Sequence, residues 1–490
     1  MVKRHKLSVE RIMTIASLFT ENKLNGKLNI LIIHDTDVSS LIAETEKYPD
    51  HKFTFLNHSY LPLEADAGLN SALKNVIFKS CELKDHFDEA KQVYDVIILA
   101  HVFSWIDHDN QEALLKLSAS SLGDNGIIYL DHNAMPGWHS KNALRGMIRH
   151  YLQTVPAETD MIPAVRAFLN HISQAIAADS SSMSDVKYVA AEVATLDDAE
   201  LRAEYLESNN WPYYFYNVVA KFNNLDIAFL ADYDLRYVID RHVFENIPAD
   251  VIAPRNQVET EQHLDFLSLN DFRRSLFCKP ALIIPRDSWL NHTKLHKMLI
   301  SVNAAIIDRS ISIQNDNEEI TARMSDEASI KVTEPIVKAA LGILVDNYPA
   351  QLSFESLYRS ALSWFNVEDT TGELKNALSS NLLSMYVIIP NSYLKIGHHK
   401  HDVATYIRKH PRASIYSRHL ISKGLEVINM MGEKVELTEQ EKTLLSLLDG
   451  NVSMDTLTVL ATAIYPEKPV NDHLIMALDK FLRASLLLNR

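Results

Sequence analysis

The sequence predicts a doubly wound α/β sheet, split by a helical insertion and followed by mainly helical modules. Three observations carry this. Between Leu28 and Asn133 short apolar, β-branched runs alternate with helix-period segments, the pattern of parallel strands buried on both faces. After "MPGWH" the period turns helical until strand-like text returns at "LDIAFLADYDL". From Glu334 onward helices dominate, with one short stretch that reads as a strand pair.

Each element follows in order. "NILII" is a buried strand, "VSSLIAETEKY" a helix, and "KFTFLNH", "NVIFKS" and "YDVIILA" are further strands. "NQEALLKLSASSL" is a helix that Gly123 and Gly126 end before the strand "GIIYLDHN". The insertion comprises "KNALRGMIRHYLQ", "MIPAVRAFLNHISQAIAA" and "DDAELRAEYLES". "LDIAFLADYDL" and "FRRSLFCKP" are expected to join the edge of the first sheet, and "SISIQNDNEEITARMSDEAS" to form a polar hairpin or linker. "EPIVKAALGILVDNY", "SFESLYRSALSWF" and "GELKNALSSNLLSM", followed by the strand pair "YVIIP" and "YLKIG", have the order of a winged helix. The expected divisions are an αβ core at 1–140, a helical insertion at 141–210, a region completing the sheet at 211–284, a linker or hairpin at 285–333, a winged-helix-like module at 334–405 and a C-terminal helical module at 406–490.

Composition narrows the function classes. At 490 residues the chain holds about three domains. Only Cys81 and Cys278 are present, without metal-ligand spacing, which argues against a disulfide framework or a zinc motif. No apolar run reaches the roughly 18 residues of a membrane span, and "MVKRHKLSVERIM" has no apolar signal core; a cytoplasmic location is expected. The net charge of −15 makes nucleic acid a poor partner. "GHHKHD" at Gly397 to Asp402 tempts a metal reading, but adjacent histidines on a strand end face opposite ways, so a solvated loop is expected. "WPYYFYNVV" reads mostly as packing between insertion and sheet.

The best-populated motif is the pair "YDVIILAHVFSWID" and "GIIYLDHNAMPGWH". In an open parallel sheet, ligands bind beyond the carboxyl ends of the strands. His101, Ser104 and Trp105 after one strand, and His132, Asn133, Trp138 and His139 after the next, would converge there. The plainer alternative is that Trp105 and Trp138 are core or interface aromatics.

"H…FSW" with "N…PGWH" resembles the class I S-adenosylmethionine-dependent methyltransferases that carry a methyltransferase regulatory domain, a group that includes rickettsial protein-lysine methyltransferases. "EYLESNNWPYYFYNVVAKFNNLDIAFLADYD", "EQHLDFLSLNDFRRSLFCKP" and the closing "PRASIYSRHLISKGLEVINMMGEKVELTEQEKTLLSLLDG" are similar to later parts of the same family, in order. The resemblance implies S-adenosylmethionine as cofactor, held by a glycine-rich turn after the first strand. That turn is His34, Asp35, Thr36, Asp37 and Val38, without a glycine. The acidic residue expected after the second strand is Asn57, a third acidic position is matched by Glu82, and the family's histidine and glycine after the fourth strand are Ala100 and His101. Two readings follow. In one, Asp35 or Asp37 takes part in an atypical cofactor site, with His101, Trp105, Asn133, Trp138 and His139 serving transfer to a protein lysine. In the other, the chain is a pseudo-methyltransferase that binds or regulates a protein, as a homodimer or paired with a paralogue. Side chains in a turn that needs close backbone approach favour the second.

Overall fold

The structure is a computed structural model that describes residues 6–21, 24, 26–34, 37–57, 67–80, 92–156, 159–175, 184–235, 256–284, 291–306, 318–325, 328–364, 368–389, 393–466 and 470–490. Seven strands form one sheet: β1 (Asn29–His34), β2 (Lys52–Asn57), β3 (Val76–Ser80), β4 (Tyr94–Ala100), β5 (Leu122–Asn133), β6 (Ala228–Asp232) and β7 (Phe272–Cys278). Their order is β3-β2-β1-β4-β5-β7-β6. Strands β1 to β5 pair in parallel, whereas β7 runs antiparallel to both β5 and β6.

The continuous apolar runs explain this arrangement. Ile30, Ile32, Val96 and Ile98 face one core, while Leu31, Ile33, Ile97 and Leu99 face the other. Period-two alternation thus divides a single run between two buried layers. The two late strands join the sheet as expected, with β7 registered along β5 from Ile127 opposite Cys278 to Asn133 opposite Phe272.

Between β5 and β6 the helices Trp138–Leu152, Met161–Ala175 and Ser184–Val193 build a core of their own around Leu144, Ile148, Val165 and Leu169. Further on stand the helices Pro335–Asn347, Phe354–Ser363 and Glu373–Ile388. The expected pairing of "YVIIP" with "YLKIG" is not made, because Tyr386, Val387 and Ile388 complete the third helix. Leu382, Leu383, Tyr386 and Val387 share one buried helical face, so packing overrides the extended preference of the β-branched pair. Leu394–Gly397 pairs instead with Leu299–Val302, inside the segment read as linker. In the same segment Ile320–Ser325 and Ala328–Val332 form an antiparallel hairpin.

The helix α1 (Val9–Phe19) is buried at every position. It packs between the sheet and the C-terminal modules, and its charged residues are answered from both sides. Glu10 accepts from His401 Nε2 at 2.8 Å and from Lys47 Nζ at 3.3 Å. Arg11 Nε donates to the Tyr233 carbonyl at 2.9 Å, and its guanidinium lies 4.8 Å from the centre of the Tyr386 ring. The "GHHKHD" stretch is therefore not a solvated loop: His401 is 5% exposed and His399 Nε2 sits 2.7 Å from the Leu24 carbonyl oxygen. The reason is the buried Glu10 carboxylate, which nothing local in the histidine stretch announces. Among the described residues no helix is long and apolar enough to cross a membrane, and no group of His, Cys, Asp and Glu is arranged to hold a metal.

The final module grips the first helix after β1. Glu46, which closes α2 (Ser39–Thr45), accepts from Ser414 Oγ at 2.6 Å, Ile415 N at 2.8 Å and Tyr416 N at 2.9 Å. One carboxylate thereby satisfies the open amides at the start of the helix Ile415–Ser422.

Candidate functional site

Strands β4 and β5 end side by side, and the chain beyond each turns into a shared polar centre. His101 directly follows β4 with φ 53°, a left-handed conformation costing a side-chain-bearing residue about 1 kcal/mol or more. The surroundings hold it there. Its backbone N–H donates to Asp131 Oδ1 at 2.7 Å, and its Nδ1 lies 3.4 Å from Asp131 Oδ2. The ring lies between Trp105 and Phe272, with centroids 5.6 Å and 5.4 Å away. Asp131 is fully buried on β5 and also accepts from the Tyr129 hydroxyl at 3.2 Å. The His101 side chain remains 25% exposed, so the strained, braced imidazole is reachable from solvent.

Asn133 ends β5 and organises the next layer. Its N–H donates to Ser104 Oγ at 3.0 Å, and its Nδ2 donates to Glu204 Oε2 at 3.0 Å and Asn210 Oδ1 at 2.9 Å. Asn210 Nδ2 returns to the Glu204 carbonyl at 2.9 Å. Asn133, Glu204 and Asn210 are all buried. Glu204 arrives on a wide π turn, Arg202–Leu206, whose Ala203 carbonyl accepts from Trp105 Nε1 at 3.1 Å. Such turns displace side chains from the regular helical ladder. The stretch after it is stitched to both strand ends, with Trp211 N donating to the Ser104 carbonyl and Tyr213 N to the Asn133 carbonyl.

The structure thus brings His101, Ser104, Trp105 and Asn133 together. It places the other predicted residues of this end differently. Trp138 is 3% exposed and stacks on Tyr205 in the insertion core, the plainer reading of that residue. His139 lies exposed on the first turn of the insertion. Gly137 is a close-approach glycine, since a Cβ there would come within 2.3 Å of the Leu269 carbonyl oxygen. His132 is fully buried, and its ring finds no hydrogen-bond partner among the described residues. Burial, with the Arg273 cation beside it, pushes its pKa down to about 3.

Sequence reasoning missed Asp131, Glu204, Asn210 and Phe272 as members of this centre. A charged residue inside a buried strand, "YLDHN", was the available signal for Asp131. Nothing local distinguishes Glu204 from its acidic neighbours.

The ends of β1 and β2 are built otherwise. His34 closes β1 in register with Asn57 on β2 and Ala100 on β4. Its side chain is 1% exposed and meets Phe55 edge-on at 6.3 Å. Asn57 is 5% exposed. Asp37 is exposed and uses Oδ1 to accept from Ser39 N at 2.8 Å, starting α2. Asp35 and Glu82 lie outside the described residues. The C-terminal module comes close to the first turn of α2: a Cβ on Gly432 would come within 2.9 Å of the Ser40 carbonyl oxygen. A turn cradling the methionine part of S-adenosylmethionine needs bare backbone at the strand end. Here the strand ends on His34, which carries a buried side chain, and Asp35 and Thr36 of the turn lie outside the described residues.

The sheet order, with β7 inserted antiparallel beside β5, defines a Rossmann-like methyltransferase fold, and the comparisons with known proteins agree. Residues 197–279 match the family described as a predicted methyltransferase regulatory domain. They span the π turn, the Asn210 to Tyr213 stretch, β6 and β7. The chain is similar over its whole length to PKMT2 from Rickettsia typhi, with a TM-score of 0.80, 21% identity and 98% of each chain covered. The same protein in complex with AdoHcy gives a TM-score of 0.78. A protein of Rickettsia prowazekii (strain Madrid E) is 24% identical over 449 residues, covering 90% of this chain and 80% of its own. The chain carries a Rossmann-like methyltransferase fold, and its residues 197–279 resemble a methyltransferase regulatory domain.

Proposed function

We propose that this chain is a pseudo-methyltransferase that retains the acceptor end of the fold to bind or regulate a protein, after loss of the cofactor cradle. The observation that carries this reading is the buried His34 ring at the end of β1, in a turn without glycine. Its partner would be a protein substrate of an active enzyme, a second copy, or a paralogue that supplies the cofactor. Titration calorimetry of the purified full chain with S-adenosylmethionine should give no saturable heat, or only millimolar binding, about 4 kcal/mol or less. Micromolar binding overturns the proposal.

Micromolar binding would instead support an active protein-lysine N-methyltransferase with an atypical cofactor turn. Two observations favour that alternative: the strained His101 is held in place by Asp131, Trp105 and Phe272, and the similar PKMT2 has been solved with AdoHcy. Strain of this kind persists where the surroundings over-determine it, commonly at functional sites. In that case His101, Trp105 and Asn133 stand at the acceptor, with Asp35, Asp37, Asn57 and Glu82 toward the cofactor. Asp37→Ala would then weaken cofactor affinity, and His101→Ala would chiefly slow incorporation of labelled methyl into protein.

A further inference from the structure

The C-terminal module contains a concave cleft of about 770 Å³ that the methyltransferase fold does not account for. Its lining gathers Arg408, Lys409, His410, Arg412 and Arg490, with Asp449 as the one acidic side chain among the described lining residues. In a chain of net charge −15 this is a marked local reversal of sign. The lone carboxylate is engaged by its own loop: Asp449 Oδ1 accepts from Asn451 N at 2.8 Å and Oδ2 from Asn451 Nδ2 at 3.1 Å. Arg490 is held by Asp402 at 2.9 Å.

Two of the remaining cations, Arg408 and Arg412, also feel the charge of that same Asp402 carboxylate, which three arginines share. Arg408 is anchored through one terminal nitrogen to Asn489 Oδ1 at 3.3 Å, while its Nε is buried with no hydrogen-bond partner. A buried donor left unmade is costly, and a ligand acceptor would satisfy it. Arg412 is fixed through its backbone, which bridges to Asp449 and accepts from Leu488 N at 2.8 Å. No hydrogen bond or ion pair engages the side chains of Arg412 or Lys409 among the described residues.

We propose that this cleft binds a small molecule bearing two or more phosphate groups. Its volume suits a small ligand, and its polar, cationic lining suits a charged one. Arginine forks match phosphate oxygens in pairs, which a single lysine cannot do. The size limit follows from charge. Screening confines each positive field to about 8 Å at physiological ionic strength, so a compact anion lies wholly within the cleft. A nucleic acid or a long acidic polypeptide would extend over the acidic remainder of the chain.

The test is calorimetry on the full chain at about 0.15 M ionic strength, with tripolyphosphate, ATP and a hexaglutamate peptide as separate probes. Saturable one-to-one binding of tripolyphosphate or ATP is expected, with at least tenfold weaker binding for Arg412→Ala. ATP binding tighter than tripolyphosphate would assign the ligand to nucleotides; equal binding would assign it to the phosphate chain alone. Lys409→Ala, whose side chain is exposed, should weaken binding severalfold without altering the melting curve, which guards against misfolding of the arginine variant. The proposal is overturned by absent phosphate binding, by binding unchanged in both variants, or by tighter binding of hexaglutamate than of either phosphate probe.

Discussion

The two ends of the sheet's carboxyl edge have been treated differently. At the ends of β4 and β5 a fully buried carboxylate, Asp131, takes donors from a strained backbone and a tyrosine, and a closed Asn133–Glu204–Asn210 network lies behind it. At the ends of β1 and β2 the described residues include His34, packed edge-on against Phe55, the buried Asn57, and an exposed aspartate that starts a helix. Strain costs stability, and among the described residues of the two ends it is found at His101, beyond β4. The difference teaches that similarity of fold says little about which half of a site is built to work. That information lies in where the protein tolerates unfavourable local structure.

The comparison can be broken or sharpened by substitution. The largest effect should come from Asp131→Ala, which leaves the His101 amide without its 2.7 Å acceptor and strands the Tyr129 hydroxyl. A loss of about 3 kcal/mol in urea unfolding is expected; a loss below about 1 kcal/mol would mean that Asp131 does not hold the ends of β4 and β5 together. At the opposite end, His34→Gly should cost about 2 kcal/mol, because it removes a buried ring and adds backbone freedom. It should create no S-adenosylmethionine binding; micromolar affinity in this variant would show that the side chain alone blocks an otherwise intact cradle.

The β4 and β5 end should also be the more acid-sensitive through His132. Its folded pKa of about 3 lies below the ordinary histidine value. The unfolded chain therefore takes up the proton first, and stability falls as pH drops from about 6.5 toward 3. The contribution is at most about 1.4 kcal/mol per pH unit, present in full above pH 6.5. His132→Leu should flatten the urea midpoint against pH in that window; an unchanged slope would remove His132 from the account. The smallest effect belongs to Asp37→Ala, which loses the two exposed turn bonds from the Ser39 amide and hydroxyl and about 0.5 kcal/mol. A larger loss, or a change in cofactor affinity, would make the turn more than a helix start.

Much of the fold was legible because its signals are local. The runs "NILII", "YDVIILA" and "GIIYLDHN" are buried on both faces, as continuous apolar strands must be, and the return of strand period at "LDIAFLADYDL" marked the late pair. "YVIIP" misled because the face shared by Leu382, Leu383, Tyr386 and Val387 is set by helices elsewhere in the chain. The histidines of "GHHKHD" misled for a related reason, since their partners Glu10 and Leu24 are hundreds of residues away. Within the candidate site, His101, Trp105 and Asn133 could be found by their position past strand ends. Glu204 and Asn210 could not, because it is the insertion's path that carries them back.

The burial of α1 has a consequence for how this protein is made. Glu10 and His401 are 391 positions apart, and at ordinary rates of synthesis roughly 20 to 80 seconds separate their emergence from the ribosome. During that interval an apolar helix near the front of the chain waits for the surface that will cover it. A chain stopped short of the C-terminal modules leaves this helix uncovered on one side, so incomplete copies carry an exposed hydrophobic segment that marks them for chaperones and proteases. The last part of the message to be translated therefore decides whether the first part is ever hidden.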